Sequence, residues 1–96
     1  MITQETLEQR LKTNKSFLSD TFHVQKVGYF GSYARGEQNA ISDIDILVEL
    51  SKPIGWKLAD LHDFLEDLLD AKVDLVTVNA LKPQLKEQIL KEVIYL

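Results

Sequence analysis

Apolar residues recur at helical spacing in three stretches of the chain. The first stretch follows Thr3, a residue that can cap a helix, and places three leucines on one face: Leu7, Leu11 and Leu18. The second runs from about Trp56 to Leu69 and repeats leucine every three or four residues. The third begins at Pro83, which suits the first position of a helix. We expect each helix to pack part of its apolar face against the rest of the chain.

Three shorter segments are rich in β-branched and aromatic residues and predict strands. They are Val24 to Phe30, Asp43 to Leu50, and Lys72 to Val78. A further helical turn opens at Ser32, between the first two strands. Helices and strands therefore alternate, which predicts an α/β fold with a small mixed sheet of about three strands packed with about four helices. The length of 96 residues predicts one domain that covers residues 1–96.

A Gly-Ser pair ends the first predicted strand and is a candidate phosphate site. Gly31 lets the backbone bend sharply and approach a ligand closely, and Ser32 follows it at the start of the helical turn. Free N–H groups at such a turn, together with the serine hydroxyl, can hold a triphosphate. Arg35 lies one helical turn later, where its guanidinium either forks onto phosphate oxygens or pairs locally as a surface arginine.

Three aspartates stand near the beginnings of the second and third predicted strands. Asp43 and Asp45 are two residues apart, so strand alternation directs both carboxylates to one face of the sheet. Asp74 meets this pair if the two strands are neighbours, and otherwise it faces water. Neighbouring carboxylates repel unless a cation lies between them, and magnesium binds carboxylate and phosphate oxygens together. Although single Asp-x-Asp triplets are usually solvated, their position after the Gly-Ser turn favours a magnesium site.

The spacing between the turn and the aspartate pair is the most specific feature of the chain. Gly31 and Ser32 are followed by ten residues and then by Asp43-Ile44-Asp45. This resembles the signature of the nucleotidyltransferase superfamily that includes DNA polymerase β and kanamycin nucleotidyltransferase. The runs Gly-Ser-Tyr-Ala-Arg-Gly and Ser-Asp-Ile-Asp-Ile-Leu-Val are most similar to the minimal nucleotidyltransferases, small bacterial and archaeal proteins usually paired with a HEPN-domain toxin. One departure is Asp70, which ends a helix where the family usually has glycine.

The resemblance implies where a nucleotidyl transfer would take place. Asp43, Asp45 and Asp74 would hold two magnesium ions. Gly31 and Ser32 would hold the β- and γ-phosphates of ATP. Asp74 would also help to deprotonate an acceptor hydroxyl, which attacks the α-phosphate and releases pyrophosphate.

Charge and composition restrict the partners and the compartment. Eleven basic and 15 acidic residues give a net charge of −4, which disfavours direct binding to a nucleic acid backbone. The chain has no cysteine, which suits a reducing compartment. No apolar run approaches the roughly 18 residues of a membrane span, and the N-terminus lacks the pattern of a signal peptide. We therefore expect a cytoplasmic protein that binds neither membranes nor nucleic acid directly.

The last predicted helix and the residues after it carry more apolar side chains than one buried face needs: Leu85, Ile89, Leu90, Val93 and Ile94. The excess predicts a docking surface for a partner or for a second copy of the chain. The resemblance suggests a HEPN toxin whose tyrosine hydroxyl receives AMP, which would make the protein an antitoxin. Two alternatives stay open: a non-catalytic module that neutralises the toxin by covering it, and a transferase for a small molecule such as an aminoglycoside. The intact Gly-Ser pair and the three aspartates favour the antitoxin enzyme.

Overall fold

The computed structural model describes residues 2–96, and these contain one mixed sheet of four strands. The strands are β1 (Val24–Phe30), β2 (Ile44–Leu50), β3 (Val73–Thr77) and β4 (Ile94–Tyr95). Their order in the sheet is β3-β2-β1-β4. β1 is antiparallel to β2 and β4, whereas β2 is parallel to β3. The predicted mixed α/β fold is confirmed, with one strand more than expected because β4 is too short to show strand alternation.

Five α-helices lie within residues 2–96: α1 (Gln4–Thr13), α2 (Lys15–Phe22), α3 (Ser32–Arg35), α4 (Lys57–Leu69) and α5 (Pro83–Glu92). The sequence predicts about four because its first leucine pattern runs through Asn14 without interruption. In the structure the Asn14 N–H is donated back to the carbonyl oxygens of Leu11 and Lys12, which ends α1, and α2 begins at the next residue. None of the helices in this range is long and apolar enough to cross a membrane.

The core lies between one face of the sheet and the helices α1, α2 and α4. Six leucines of these helices are fully buried: Leu7, Leu11, Leu18, Leu61, Leu65 and Leu69. They belong to the same apolar cluster as Tyr29 of β1 and Ile44, Ile46 and Val48 of β2. Burial of each such side chain stabilises the fold by about 1.5–3 kcal/mol. Strand alternation places Asp45 on the face opposite Ile44 and Ile46.

The helix α5 differs from the other long helices, since none of its residues is buried. The expected packing of its apolar residues is only partial: Ile89 is half-buried, whereas Leu85 is 49% exposed and Leu90 is 39% exposed. The chain returns to the sheet only after the helix, as β4. Gly28 on β1 permits this pairing, because a Cβ there would lie 2.7 Å from the carbonyl oxygen of Ile94.

Asp70 follows α4 in the left-handed conformation, with φ of 50° and ψ of 48°. Glycine adopts this conformation without the strain of a Cβ, so Asp70→Gly is expected to stabilise the fold by about 0.5–1 kcal/mol. Asp70→Ala, which lacks both the glycine freedom and the aspartate tolerance, is expected to destabilise it. Urea unfolding of the three proteins measures the order, and a glycine variant less stable than the wild type would contradict the prediction.

Candidate active site

The register of the two parallel strands brings the predicted acids together. Asp45 of β2 lies directly beside Asp74 of β3, so the two side chains leave the same face of the sheet. Asp43 immediately precedes β2, and its charge acts on Asp45. Asp43 and Asp74 are exposed, whereas Asp45 is half-buried. The three carboxylates form a cluster, here called the acid cluster, at the N-terminal ends of β2 and β3.

Negative charge accumulates at Asp45. Burial, followed by the charges of Asp74 and Asp43, raises the pKa of Asp45 to about 6. The positive charge of Arg35 acts in the opposite direction and only partly offsets this rise. The acid cluster is therefore short of positive charge, and two of its members are open to solvent. Carboxylate oxygens are ligands that magnesium prefers, and the ion would supply the missing charge.

The carboxylate of Asp45 packs against the backbone of Gly31. Phe30, the last residue of β1, pairs with Asp45 across the antiparallel ladder, and Gly31 follows it. A Cβ at Gly31 would lie 2.0 Å from Asp45 Oδ2, well inside contact distance. Gly31 also has φ of 72° and ψ of −148°, a conformation almost restricted to glycine. Glycine is thus required here for both its shape and its backbone freedom.

The Gly-Ser turn continues into α3, which is a single helical turn. The Arg35 N–H donates to the Gly31 carbonyl at 3.1 Å, and the Glu37 N–H donates to the Ser32 carbonyl at 2.8 Å. Tyr33 is buried and anchors the turn, with its hydroxyl 3.2 Å from the carbonyl oxygen of Ile2. Ser32 therefore stands at the start of a fixed turn, one residue after the contact between Gly31 and Asp45.

Arg35 is held by two carboxylates. Its Nε donates to Glu37 Oε1 at 2.7 Å, and its Nη1 donates to Glu92, the last residue of α5. Glu92 also contributes to the raised pKa of Asp45, so it stands close to the acid cluster. The sequence offers no signal for this fourth acid, because it lies 57 residues from Arg35 along the chain.

Two side chains of α4 hold the start of β3. His62 Nε2 lies 2.9 Å from the Val73 carbonyl oxygen, and the Val73 N–H donates to Glu66 Oε2 at 2.9 Å. His62, Asp63 and Glu66 bring potential ligand atoms within 4.8 Å of one another. Because His62 and Glu66 both bind the backbone of Val73, we interpret this cluster as structural. It fixes the residue that immediately precedes Asp74.

The acid cluster is separate from a cleft at the other end of β2. That cleft has a volume of about 520 Å³, and its lining includes Glu49, Lys52 and Asn79. None of the predicted site residues lines it. Asp43 and Asp74 are instead exposed on the surface. A large acceptor can approach them there without entering a deep pocket.

Similarity to known proteins identifies the family. Residues 7–96 match the family described as nucleotidyltransferase domain. The chain is 42% identical over 96 residues to the protein adenylyltransferase MntA of Thermococcus cleftensis, covering 99% of this chain and 97% of that protein.

Solved structures show the same relationship. One, assigned as a minimal nucleotidyltransferase, is 38% identical with a TM-score of 0.86, covering 99% of this chain and 97% of that chain. A chain in a crystal structure of a toxin–antitoxin complex with AMP-PNP is 26% identical with a TM-score of 0.71, covering 98% of this chain and 72% of that one. The chain therefore belongs to the nucleotidyltransferase family of enzymes, in the group of the minimal nucleotidyltransferases.

Proposed function

We propose that the protein is an antitoxin that uses magnesium and ATP to transfer AMP to a hydroxyl group of a HEPN-type toxin. The observation that carries this proposal is the position of Asp45, which packs on Gly31 and lies beside Asp74. The turn proposed to bind the triphosphate therefore lies next to the aspartates proposed to bind the metal. The Thermococcus relative is named a protein adenylyltransferase, and the complex with AMP-PNP is a toxin–antitoxin pair. The first name agrees with transfer of an adenylyl group to a protein, and the second with an ATP analogue as ligand and a toxin as partner.

The residues of the acid cluster and the turn divide the work of the proposed reaction. Asp43, Asp45 and Asp74 would hold magnesium, which would supply positive charge to the triphosphate. Gly31 and Ser32 bind the β- and γ-phosphates. Asp74 takes the proton of the acceptor hydroxyl while the hydroxyl oxygen bonds to the α-phosphorus. The bond from the α-phosphorus to the bridging oxygen of the β-phosphate breaks, and pyrophosphate leaves with the electron pair.

The exposed helix α5 is the proposed docking surface for the toxin. Its apolar residues Leu85 and Leu90 are exposed, and its last residue, Glu92, pairs with Arg35 beside the acid cluster. A protein docked on α5 would therefore lie close to the site of transfer. We place the reaction in the cytoplasm, where the nucleotide is available.

A second candidate function is neutralisation by occlusion, without transfer. The exposure of α5 favours it as much as it favours the enzyme, because a covering partner needs the same apolar surface. The two functions differ in one measurable result: the enzyme adds the mass of AMP to the toxin, whereas occlusion leaves the mass of the toxin unchanged.

The proposed function is tested by incubating the purified protein with its toxin, ATP and magnesium. The intact mass of the toxin is expected to rise by one or more AMP groups. Replacing magnesium with a chelator is expected to remove both the transfer and the calorimetric signal of ATP binding, since the acid cluster repels phosphate without a cation. A toxin that binds tightly and never gains mass would reject the enzyme and leave occlusion.

A further inference from the structure

Glu92 is more enclosed than its helix explains. It is the last residue of α5, a helix with no buried residue, yet its side chain is only 18% exposed. The apolar residues Leu85 and Leu90 of the same helix are 49% and 39% exposed. A carboxylate usually takes the more exposed position on an amphipathic helix. In α5 only Ile89 and Glu92 are partly buried, so Glu92 is the one charged residue of the helix that is not exposed.

Glu92 adds a fourth carboxylate beside the acid cluster. Its charge adds to those of Asp43, Asp45 and Asp74, and a half-enclosed carboxylate among three others costs free energy unless a cation offsets it. Arg35 is that cation. A glutamine at position 92 would avoid the repulsion and keep the shape of the side chain. It would also lose the ion pair with Arg35, so Glu92→Gln tests what that pair contributes.

The guanidinium of Arg35 is fixed from two directions. Glu37 accepts from Nε at 2.7 Å and Glu92 accepts from Nη1, so two bonds to different nitrogens hold the plane of the group. A guanidinium has five N–H donors, and these bonds leave others for a ligand. The charge of Arg35 also acts on Asp45, so the guanidinium borders the acid cluster.

We propose that Glu92 is a positioning residue, which orients the Arg35 guanidinium toward the phosphates of the nucleotide bound at the acid cluster. This inference rests on the proposed function. Glu37 is a neighbour of Arg35 in the chain, whereas Glu92 reaches it from the end of α5. The ion pair thus connects the nucleotide site with the helix on which the partner is expected to dock.

Glu92→Gln tests the role, with Glu87→Gln as the matched control. Glu87 lies on the same helix, is exposed and pairs only with Lys91 at 3.2 Å among the described residues. Glu92→Gln is expected to weaken calorimetric binding of magnesium and a non-transferable ATP analogue roughly 3- to 10-fold, because a charge-assisted hydrogen bond becomes a neutral one. The KM for ATP rises by a similar factor, and kcat changes less than about two-fold. The Glu87→Gln variant is expected to match the wild type in both.

The coupling between Glu92 and Arg35 is measured by adding Glu92→Gln to Arg35→Ala. Glu92 acts through Arg35, so the second substitution is expected to have no further effect on nucleotide binding. An equal loss in the two backgrounds would overturn the positioning role, as would unchanged or tighter binding by Glu92→Gln alone. Thermal unfolding of each variant separates these results from simple loss of the fold.

The wild-type protein separates the inference from the proposed function. If the wild type binds the analogue and transfers AMP while Glu92→Gln behaves identically, only the inference fails. If the wild type neither binds the analogue with magnesium nor modifies the toxin, the proposed function fails and the positioning role fails with it.

Discussion

Asp45→Asn is expected to reduce AMP transfer more than about 100-fold, because a bound metal stabilises the transition state by several kcal/mol. Asparagine keeps the shape of the side chain and removes one negative charge from the centre of the acid cluster. The fold is expected to survive because Asp45 lies on the face opposite the buried Ile44 and Ile46. Intact-mass analysis of the toxin measures the loss, and Asp43→Asn is expected to behave in the same way.

The same substitution is expected to stabilise the metal-free protein at neutral pH. The pKa of Asp45 is raised from 3.8 to about 6, so the folded state disfavours the charged carboxylate. As the pH rises, the Asp45 carboxyl loses its proton at a lower pH in the unfolded chain than in the folded protein. The wild type therefore loses stability as the pH rises from about 4 to about 6. Below that window wild type and variant are expected to be alike. Above it the variant is expected to be more stable by about 1–2 kcal/mol, a value reduced for solvent screening at this half-buried site.

Urea unfolding at pH 4 and pH 8, with a chelator and with magnesium, measures this linkage. Asp20→Asn, which removes an exposed carboxylate from α2 away from the acid cluster, controls for the general effect of net charge. Magnesium is expected to raise the stability of the wild type more than that of Asp45→Asn. A variant that transfers AMP at the wild-type rate, or one without added stability at pH 8, would show that Asp45 is not the centre of the site.

Gly31→Ala is expected to remove activity by moving the Asp45 carboxylate. The added Cβ would lie 2.0 Å from Asp45 Oδ2 and 3.0 Å from Asp45 Cγ, so the aspartate has to turn away from the site. The φ of 72° with ψ of −148° adds backbone strain for any residue with a Cβ. We expect a destabilisation of about 2–4 kcal/mol and a loss of transfer of more than about 100-fold.

Gly36→Ala is the control for the strain of a positive φ. Gly36 has φ of 71°, and a Cβ there would meet no atom within 4 Å. This variant is expected to lose about 1–2 kcal/mol and to retain transfer. The part of the destabilisation that comes from the clash with the Asp45 carboxylate is measured by repeating Gly31→Ala in an Asp45→Ala background. There Gly31→Ala is expected to cost less stability. If Gly31→Ala destabilises the Asp45→Ala protein as much as the wild type, backbone strain alone accounts for the loss of stability.

One part of the proposed site follows from local sequence patterns, and the other part depends on contacts between residues far apart in the chain. The Gly-Ser turn and the Asp43-Ile44-Asp45 alternation are local patterns, so the strand ends and the direction of both carboxylates can be predicted from neighbouring residues. The position of Asp74 cannot be predicted in this way. It depends on which strands pair and in which register, and only the parallel ladder of β2 and β3 places it beside Asp45.

The sequence by itself determined the elements that follow from periodicity: β1, β2, β3 and the leucine faces of α1, α2 and α4. Only the tertiary structure decided the placement of α5 and β4. An amphipathic pattern shows that a helix has an apolar face, yet it does not show whether the chain or a partner covers that face. The pair of Arg35 and Glu92 has the same origin, because contacts between residues far apart in sequence arise from the packing of whole elements.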